Sequence, residues 1–241
     1  MFKALDGISF EIGRGKVLGL VGESGSGKTT TGRILLGLEK VDSGTVYFDG
    51  VDILSLRRGE LRSFRRKAQL IFQDPFSSLP PHMKIRSIVS EPLRINHLGG
   101  APEEMGKAVD EALEAVSLVP AREFESKFPS ELSGGQRQRV AIARALILKP
   151  EFIVADEPVS MLDVSVRAGI LNVLRDLQKK ENLTVLFITH DLTVASYVCD
   201  EVAVMKLGRI VESGDIREVM ESPKHEYTRA LLDAVPEVEL E

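Results

Sequence analysis

Gly22-Glu23-Ser24-Gly25-Ser26-Gly27-Lys28-Thr29 is the stretch from which the rest of the chain is read. It has the spacing G-x-x-x-x-G-K-[ST], with an apolar, strand-like run before it (Val17 to Val21) and a helix-like stretch after it (Thr29 to Leu38). A strand that turns through glycines into a helix points successive N–H groups into one concavity, and the helix adds the positive end of its dipole. Such a nest holds a polyphosphate. Lys28 would reach the terminal phosphates as a point charge, and the Thr29 hydroxyl would coordinate Mg²⁺. Thr29, Thr30 and Thr31 are poor helix formers at a helix start, a choice that suits ligand binding better than helix propensity.

The chain of 241 residues has room for a large core, as one domain or as a domain with an inserted lobe. Acidic residues outnumber basic ones, 36 to 31, and the net charge of −5 gives no electrostatic grip on nucleic acid. No apolar run reaches the roughly 18 residues of a membrane-spanning helix, and Met1-Phe2-Lys3 leads into strand-like sequence without a signal peptide's apolar region. The expected compartment is the cytosol. One cysteine, Cys199, leaves no internal disulfide and no cysteine cluster, and reads as a small buried apolar residue.

Ile8, Phe10 and Ile12 alternate with Ser9 and Glu11, the period of a strand with one covered face. Gly37 suits a helix C-cap, and Thr45 to Phe48 with Asp49-Gly50 reads as a strand entering a hairpin. Arg57, Arg58, Arg62, Arg65, Arg66 and Lys67 at helical spacing form either a solvated helix face or a phosphate-binding patch. Gln69 to Phe72 is a short strand ending at Gln73. Prolines at 75, 80, 81, 92, 102, 120 and 129 then punctuate helical stretches, with Pro102 opening a helix that buries Val109, Ala112, Leu113 and Val116. Residues 74–148 are therefore read as a helical lobe inserted into an α/β core made of 1–73 and 149–241. Strands at Phe152 to Ala155 and Thr184 to Thr189 alternate with helices at Val164 to Gln178 and Asp191 to Val198, which implies a mostly parallel sheet covered on both faces. Val202 to Met205 and Arg209 to Glu212 close as a hairpin through Leu207-Gly208, and two helices follow, the last with Tyr227, Leu231 and Leu232 on one side.

Ligands of such a sheet sit at the carboxyl ends of its strands, which is where Asp156-Glu157 falls. Asp156 can hold Mg²⁺ directly or through a water, while Glu157, one residue further, can polarise the water that attacks a γ-phosphate. Leu132-Ser133-Gly134-Gly135-Gln136 opens another helix: Ser133 can cap it, and the two glycines leave its first N–H groups uncovered. That is either a simple capped helix or a second anion site, and a second site is more than one nucleotide requires unless it serves a neighbouring molecule. His190, after another strand, is either structural or placed to meet a γ-phosphate or its attacking water. Gln73 can ligate Mg²⁺ or its water while bordering the helical lobe.

Together these residues resemble the nucleotide-binding subunit of an ATP-binding cassette (ABC) transporter, a P-loop NTPase fold, over nearly the whole chain and in the family's order. Walker A is Gly22 to Thr29, the Q-loop residue Gln73, the signature Leu132 to Gln136, Walker B Phe152 to Asp156 with Glu157, the D-loop Ser160-Met161-Leu162-Asp163 and the switch histidine His190. The resemblance implies a head-to-tail pair of subunits, homodimer or heterodimer, in which each ATP is held by one subunit's Walker A and the other's Ser133, Gly134, Gly135 and Gln136. It also implies that the helical lobe, hinged at Gln73, receives a short helix from one of two membrane-spanning permease subunits at the inner face of the cell membrane, with an external solute-binding protein acting through them.

Gln73-Asp74-Pro75-Phe76-Ser77-Ser78-Leu79 and Ser222-Pro223-Lys224-His225-Glu226-Tyr227-Thr228-Arg229-Ala230-Leu231-Leu232 are similar to ATP-binding subunits of oligopeptide and dipeptide importers. Those subunits carry an adenine-stacking aromatic upstream of the first strand; this chain begins too late to show it, and Phe2 is the candidate substitute. Many also carry a C-terminal cysteine cluster for iron–sulfur, which the single Cys199 does not supply. Pro80-Pro81 and Met161 stand where relatives more often have Asn-Pro and Ala. The expected activity is Mg²⁺-dependent ATP hydrolysis that powers uptake of a peptide. The alternatives are a soluble ABC ATPase acting on nucleic acid or ribosomes, an exporter cassette, and an importer of oligosaccharide or metal chelate.

Overall fold

The computed structural model describes residues 3–233, leaving out the side chain of Phe76. Along the chain, β1 (Val17–Val21) and α1 (Lys28–Leu35) lead to β2 (Tyr47–Phe48), β3 (Val51–Asp52), α2 (Arg58–Lys67) and β4 (Ala68–Ile71). Five helices come next: α3 (Pro75–Ser78), α4 (Ile85–Ile95), α5 (Pro102–Ala115), α6 (Arg122–Glu125) and α7 (Gly134–Leu146). Then β5 (Phe152–Asp156), α8 (Val164–Glu181), β6 (Thr184–Thr189), α9 (Leu192–Val198), β7 (Glu201–Lys206), β8 (Arg209–Asp215), α10 (Ile216–Glu221) and α11 (Glu226–Asp233) complete the described chain. These elements fall into two compact units, residues 3–54 with 184–233, and Ser55–Leu183.

In the first unit the strand order is β6-β1-β7-β8. β1 is parallel to both β6 and β7, and all five of its residues are buried, which is why it reads as an unbroken apolar run. β8 returns antiparallel to β7 through Leu207 and Gly208, both at positive φ (48° and 79°), the twist a two-residue hairpin needs. Asp49 and Gly50 (φ 49° and 78°) make the same kind of turn between the antiparallel β2 and β3. Gly37 ends α1 at φ 61°, its N–H bonded to Ile34 O and that of Leu38 to Arg33 O, a Schellman closure. Cys199 is buried, and burial pushes its thiol so far up that it behaves as the small apolar residue expected.

One expected strand is not formed. Ile8, Phe10 and Ile12 are half-buried and Ser9 and Glu11 exposed, so the alternation is present. Periodicity reports a covered face but not a ladder partner, and among the described residues no strand pairs there. Among the described residues before α2, the antiparallel pairing is that of β2 with β3.

In the second unit β4 lies parallel to β5, with Ala68 opposite Phe152 and Ile71 opposite Ala155. The stretch expected to be helical, 74–148, holds α3 to α7 and no strand. Pro102 takes the first turn of α5, whose Val109, Ala112 and Leu113, with Val116 just beyond, are buried. α7 packs on α3, α4, α5 and α8. Arg144 ties three of these together, donating to Ser78 O (3.0 Å) and to Glu91 Oε2 (2.6 Å). The arginine-rich α2 buries only Phe64, leaves Leu61 and Arg66 half-buried and exposes its other residues.

Candidate nucleotide site

In the first unit the loop Gly22 to Gly27 joins the buried β1 to α1. Gly25 (φ 79°) and Gly27 (φ 104°) take conformations that L side chains avoid. Gly22 is required for space: a Cβ there would lie 2.1 Å from the Met205 carbonyl oxygen. α1 begins without a side-chain cap and without an acidic residue in its first turn, which leaves the positive helix end for an anion. Lys28 is buried at the loop's centre, its Nζ donating to Gly22 O (2.7 Å) and Glu23 O (2.8 Å). Glu23, Ser24, Gly25 and Thr29 form the exposed rim, Thr30 is half-buried, and Ser26 is buried with no hydrogen-bond partner for its hydroxyl. Val21 stands opposite Thr189 in the parallel β1–β6 ladder, so the loop and the exposed His190 leave neighbouring strands at the same end. Asp191 caps α9 by accepting from the N–H groups of Thr193 and Val194.

In the second unit the same logic applies to β4 and β5. Ile71 pairs with Ala155, so Gln73 and Glu157, two residues beyond each, meet at the strand ends, where Gln73 Nε2 donates to Glu157 Oε2 at 3.0 Å. Asp156 is buried and Glu157 half-buried. Glu157 has φ 45°, uncommon for a residue with a Cβ, and its carbonyl oxygen accepts from both the N–H (3.2 Å) and the hydroxyl (3.1 Å) of Ser160. Ser133 opens α7 with a reciprocal pair: its Oγ accepts from Gln136 N–H (3.3 Å), and its own N–H donates to Gln136 Oε1 (3.0 Å). Gly135 allows close helix contact, since a Cβ there would lie 2.5 Å from Val166 Cγ1 of α8.

A phosphate-type loop, a serine-capped Gly-Gly helix start and an acidic strand end are thus all built as local structures. The family model described as ABC transporter matches residues 5–160. The chain belongs to the ABC transporter family. It is 53% identical over 234 residues to a putative peptide import ATP-binding protein of Brucella ovis, covering 97% of this chain and 73% of that protein. To the oligopeptide transport ATP-binding protein OppF of Bacillus subtilis it is 47% identical over 235 residues, 97% of this chain and 76% of the other. Among solved structures it is similar to the dimeric post-hydrolysis state of the ATP-binding cassette MJ0796 bound to ADP and Pi (TM-score 0.80, 34% identity, 90% of this chain and 92% of that one). It is likewise similar to cbiO1 from Clostridium perfringens, part of the ABC transporter complex cbiONQ (TM-score 0.82, 33% identity, 97% and 89%). The cassette is therefore of the P-loop fold expected of it.

Within this ABC cassette, Lys28, Thr29 and His190 belong to the first unit, and Gln73, Asp156, Glu157 and the Ser133 to Gln136 signature to the second. Phe2, the candidate base-stacking residue, lies outside the described residues. Among the described residues no three His, Cys, Asp or Glu side chains cluster as a metal site, and no helix is long and apolar enough to cross a membrane. One contact at the loop had no sequence signal. The hydroxyl of Tyr227, which the sequence places only on a packing face of α11, accepts from Glu23 N–H at 3.1 Å. Side-chain spacing reports which face is covered, not where a phenol oxygen ends.

Proposed function

We infer that this chain is the ATP-hydrolysing subunit of an ABC importer whose transported solute is a peptide. The cassette fold and family membership support ATP hydrolysis coupled to transport, and the names of relatives at about half identity support peptide as cargo. The single observation that carries the site is the loop from Gly22 to Thr29 with the Lys28 ammonium buried at its centre. There Lys28 exchanges two backbone carbonyls for phosphate oxygens, and the uncapped start of α1 supplies N–H groups and the helix dipole.

Mg²⁺ suits the oxygen donors available, since it keeps several waters and needs only one or two protein ligands beside the phosphates. Thr29, Asp156 and Gln73 would hold it directly or through water, and it would neutralise charge on the β- and γ-phosphates. Glu157 accepts a proton from the attacking water while Gln73 orients its carboxylate, and His190 hydrogen-bonds the γ-phosphate or that water. The head-to-tail pair supplies Ser133, Gly134, Gly135 and Gln136 of one subunit to the ATP of the other. ATP closes the pair and hydrolysis reopens it. The helical segment 74–148, as a lobe hinged at Gln73, receives a permease helix, so that the cassette sits on the cytoplasmic side of the membrane through two permease subunits, fed by an external binding protein.

The test is MgATP turnover by this chain with its permeases and binding protein in vesicles. Peptide uptake that requires ATP, and that stops with K28A, is expected. Turnover that no peptide or permease alters, with equal activity in K28A, would overturn the reading.

A further inference from the structure

We propose that Tyr227 is a positioning residue for the phosphate loop, keeping the Gly22–Glu23 peptide oriented once Lys28 turns to the nucleotide. The proposal rests on the ATP reading of the loop. That peptide group is gripped at both ends: its carbonyl, on Gly22, accepts from Lys28 Nζ at 2.7 Å, and its N–H, on Glu23, donates to the Tyr227 hydroxyl at 3.1 Å. Lys28 gives a further bond to Glu23 O at 2.8 Å. An ammonium has three protons to give, so turning it toward a triphosphate withdraws donors from these carbonyls. Glu23 O still receives Ser26 N–H at 3.2 Å. Among the described residues, the Tyr227 contact is the one on the Gly22–Glu23 peptide that does not depend on Lys28.

The geometry gives this contact leverage. Gly22 lies so close to β7 that a Cβ would meet Met205 O at 2.1 Å, and rotation of the adjoining peptide shifts where the loop starts. Tyr227 itself is fixed. The residue is 6% exposed, and Lys206 Nζ sits 4.5 Å from its ring centroid. The segment leading into α11 is tied to β8, where Glu212 accepts from Lys224 N–H (2.8 Å) and His225 N–H (3.0 Å), and Tyr227 N–H donates to His225 Nδ1 (3.1 Å). Burial, its largest influence, raises the phenol above its ordinary value, so the hydroxyl stays neutral. The last helix of the described chain thus reaches the nucleotide loop through one oxygen.

The test uses Y227F in the full chain, which fills the same space without the oxygen. Calorimetric titration with MgATP is expected to show affinity weakened about three- to tenfold, the size of one modest hydrogen bond. A second arm needs no nucleotide: amide exchange over residues 20–28 is compared in K28A and in K28A/Y227F. With the lysine's grip already gone, losing the hydroxyl is expected to speed exchange about tenfold in the double variant, and less in Y227F alone. Equal MgATP affinity in Y227F and the natural chain, or exchange in the double variant no faster than in K28A, overturns the proposal. A natural chain that binds no MgATP strikes the ATP reading instead, and the exchange arm then decides Tyr227.

Discussion

Gln73 donates its side-chain N–H to Glu157 Oε2 at 3.0 Å, a contact fixed by the register that sets Ile71 beside Ala155 on parallel strands. A residue at the edge of the helical segment thereby touches the carboxylate assigned to water activation. The backbone of Glu157 is held in turn, at φ 45°, by two donors from Ser160. The side-chain contact from Gln73 and the backbone turn at Ser160 thus both bear on where the carboxylate points.

Removing the charge from Glu157 while keeping its shape isolates the proton-accepting role. E157Q is expected to bind MgATP as the natural chain does and to lose about 10²–10⁴ in turnover. Steady-state hydrolysis and calorimetric binding on the same preparation check it. Turnover within about twofold of the natural value would remove Glu157 from the role.

Q73A separates orientation from chemistry. With Mg²⁺ saturating, so that the place of Gln73 on the ion does not limit the rate, the lost positioning contact is expected to cost about three- to tenfold in turnover, and that cost vanishes when Glu157 is already glutamine. If Q73A lowers the rate of E157Q as much as that of the natural chain, the two side chains act independently and the 3.0 Å contact carries no catalytic coupling.

Much of this site was legible because its signals are local. Loop spacing between strand and helix placed Lys28, Ser133 ahead of Gly134-Gly135 placed the cap of α7, and Asp49-Gly50 and Leu207-Gly208 placed two hairpins. What stayed hidden depends on contacts distant in sequence. The Gln73–Glu157 contact spans 84 residues and the Tyr227–Glu23 contact 204. Ile8, Phe10 and Ile12 misled for the converse reason: their alternation is real in burial but finds no ladder among the described residues.

K28A removes the ammonium at the centre of the loop. Each charge-assisted hydrogen bond contributes about 1.5–3 kcal/mol, so MgATP affinity is expected to fall about ten- to hundredfold or more. Equilibrium binding decides it, and an affinity within about threefold of natural would contradict the cradle assignment.

Gly135 in the signature is also a packing residue. An alanine there places a Cβ 2.5 Å from Val166 Cγ1, and such overpacking destabilises by about 1–3 kcal/mol. Thermal unfolding of G135A is expected about 2–4 °C lower per kcal/mol, with G135A/V166A recovering part of the loss by making room. No recovery in the double variant would show that helix contact is not what demands glycine.

Glu212 gives the stability of the α11 anchor a pH dependence whose sign follows from its neighbours. Partial burial, the largest single influence, raises its carboxyl, but the nearby Thr228 hydroxyl, the hydrogen bonds from the N–H groups of Lys224 and His225, and the His225 charge together outweigh burial and hold it below its ordinary value of 4.5. A carboxyl lowered by folding binds fewer protons folded than unfolded, so its contribution is complete above the ordinary value and is lost as pH falls through the folded one. Melting of the natural chain and of E212Q is therefore expected to differ at neutral pH and to converge on acidification below 4.5. The converging variant also reports the anchor, because amide exchange of Lys224 and His225 should rise in E212Q at neutral pH. A gap that widens with acid would mean that the carboxylate is not what holds those two N–H groups.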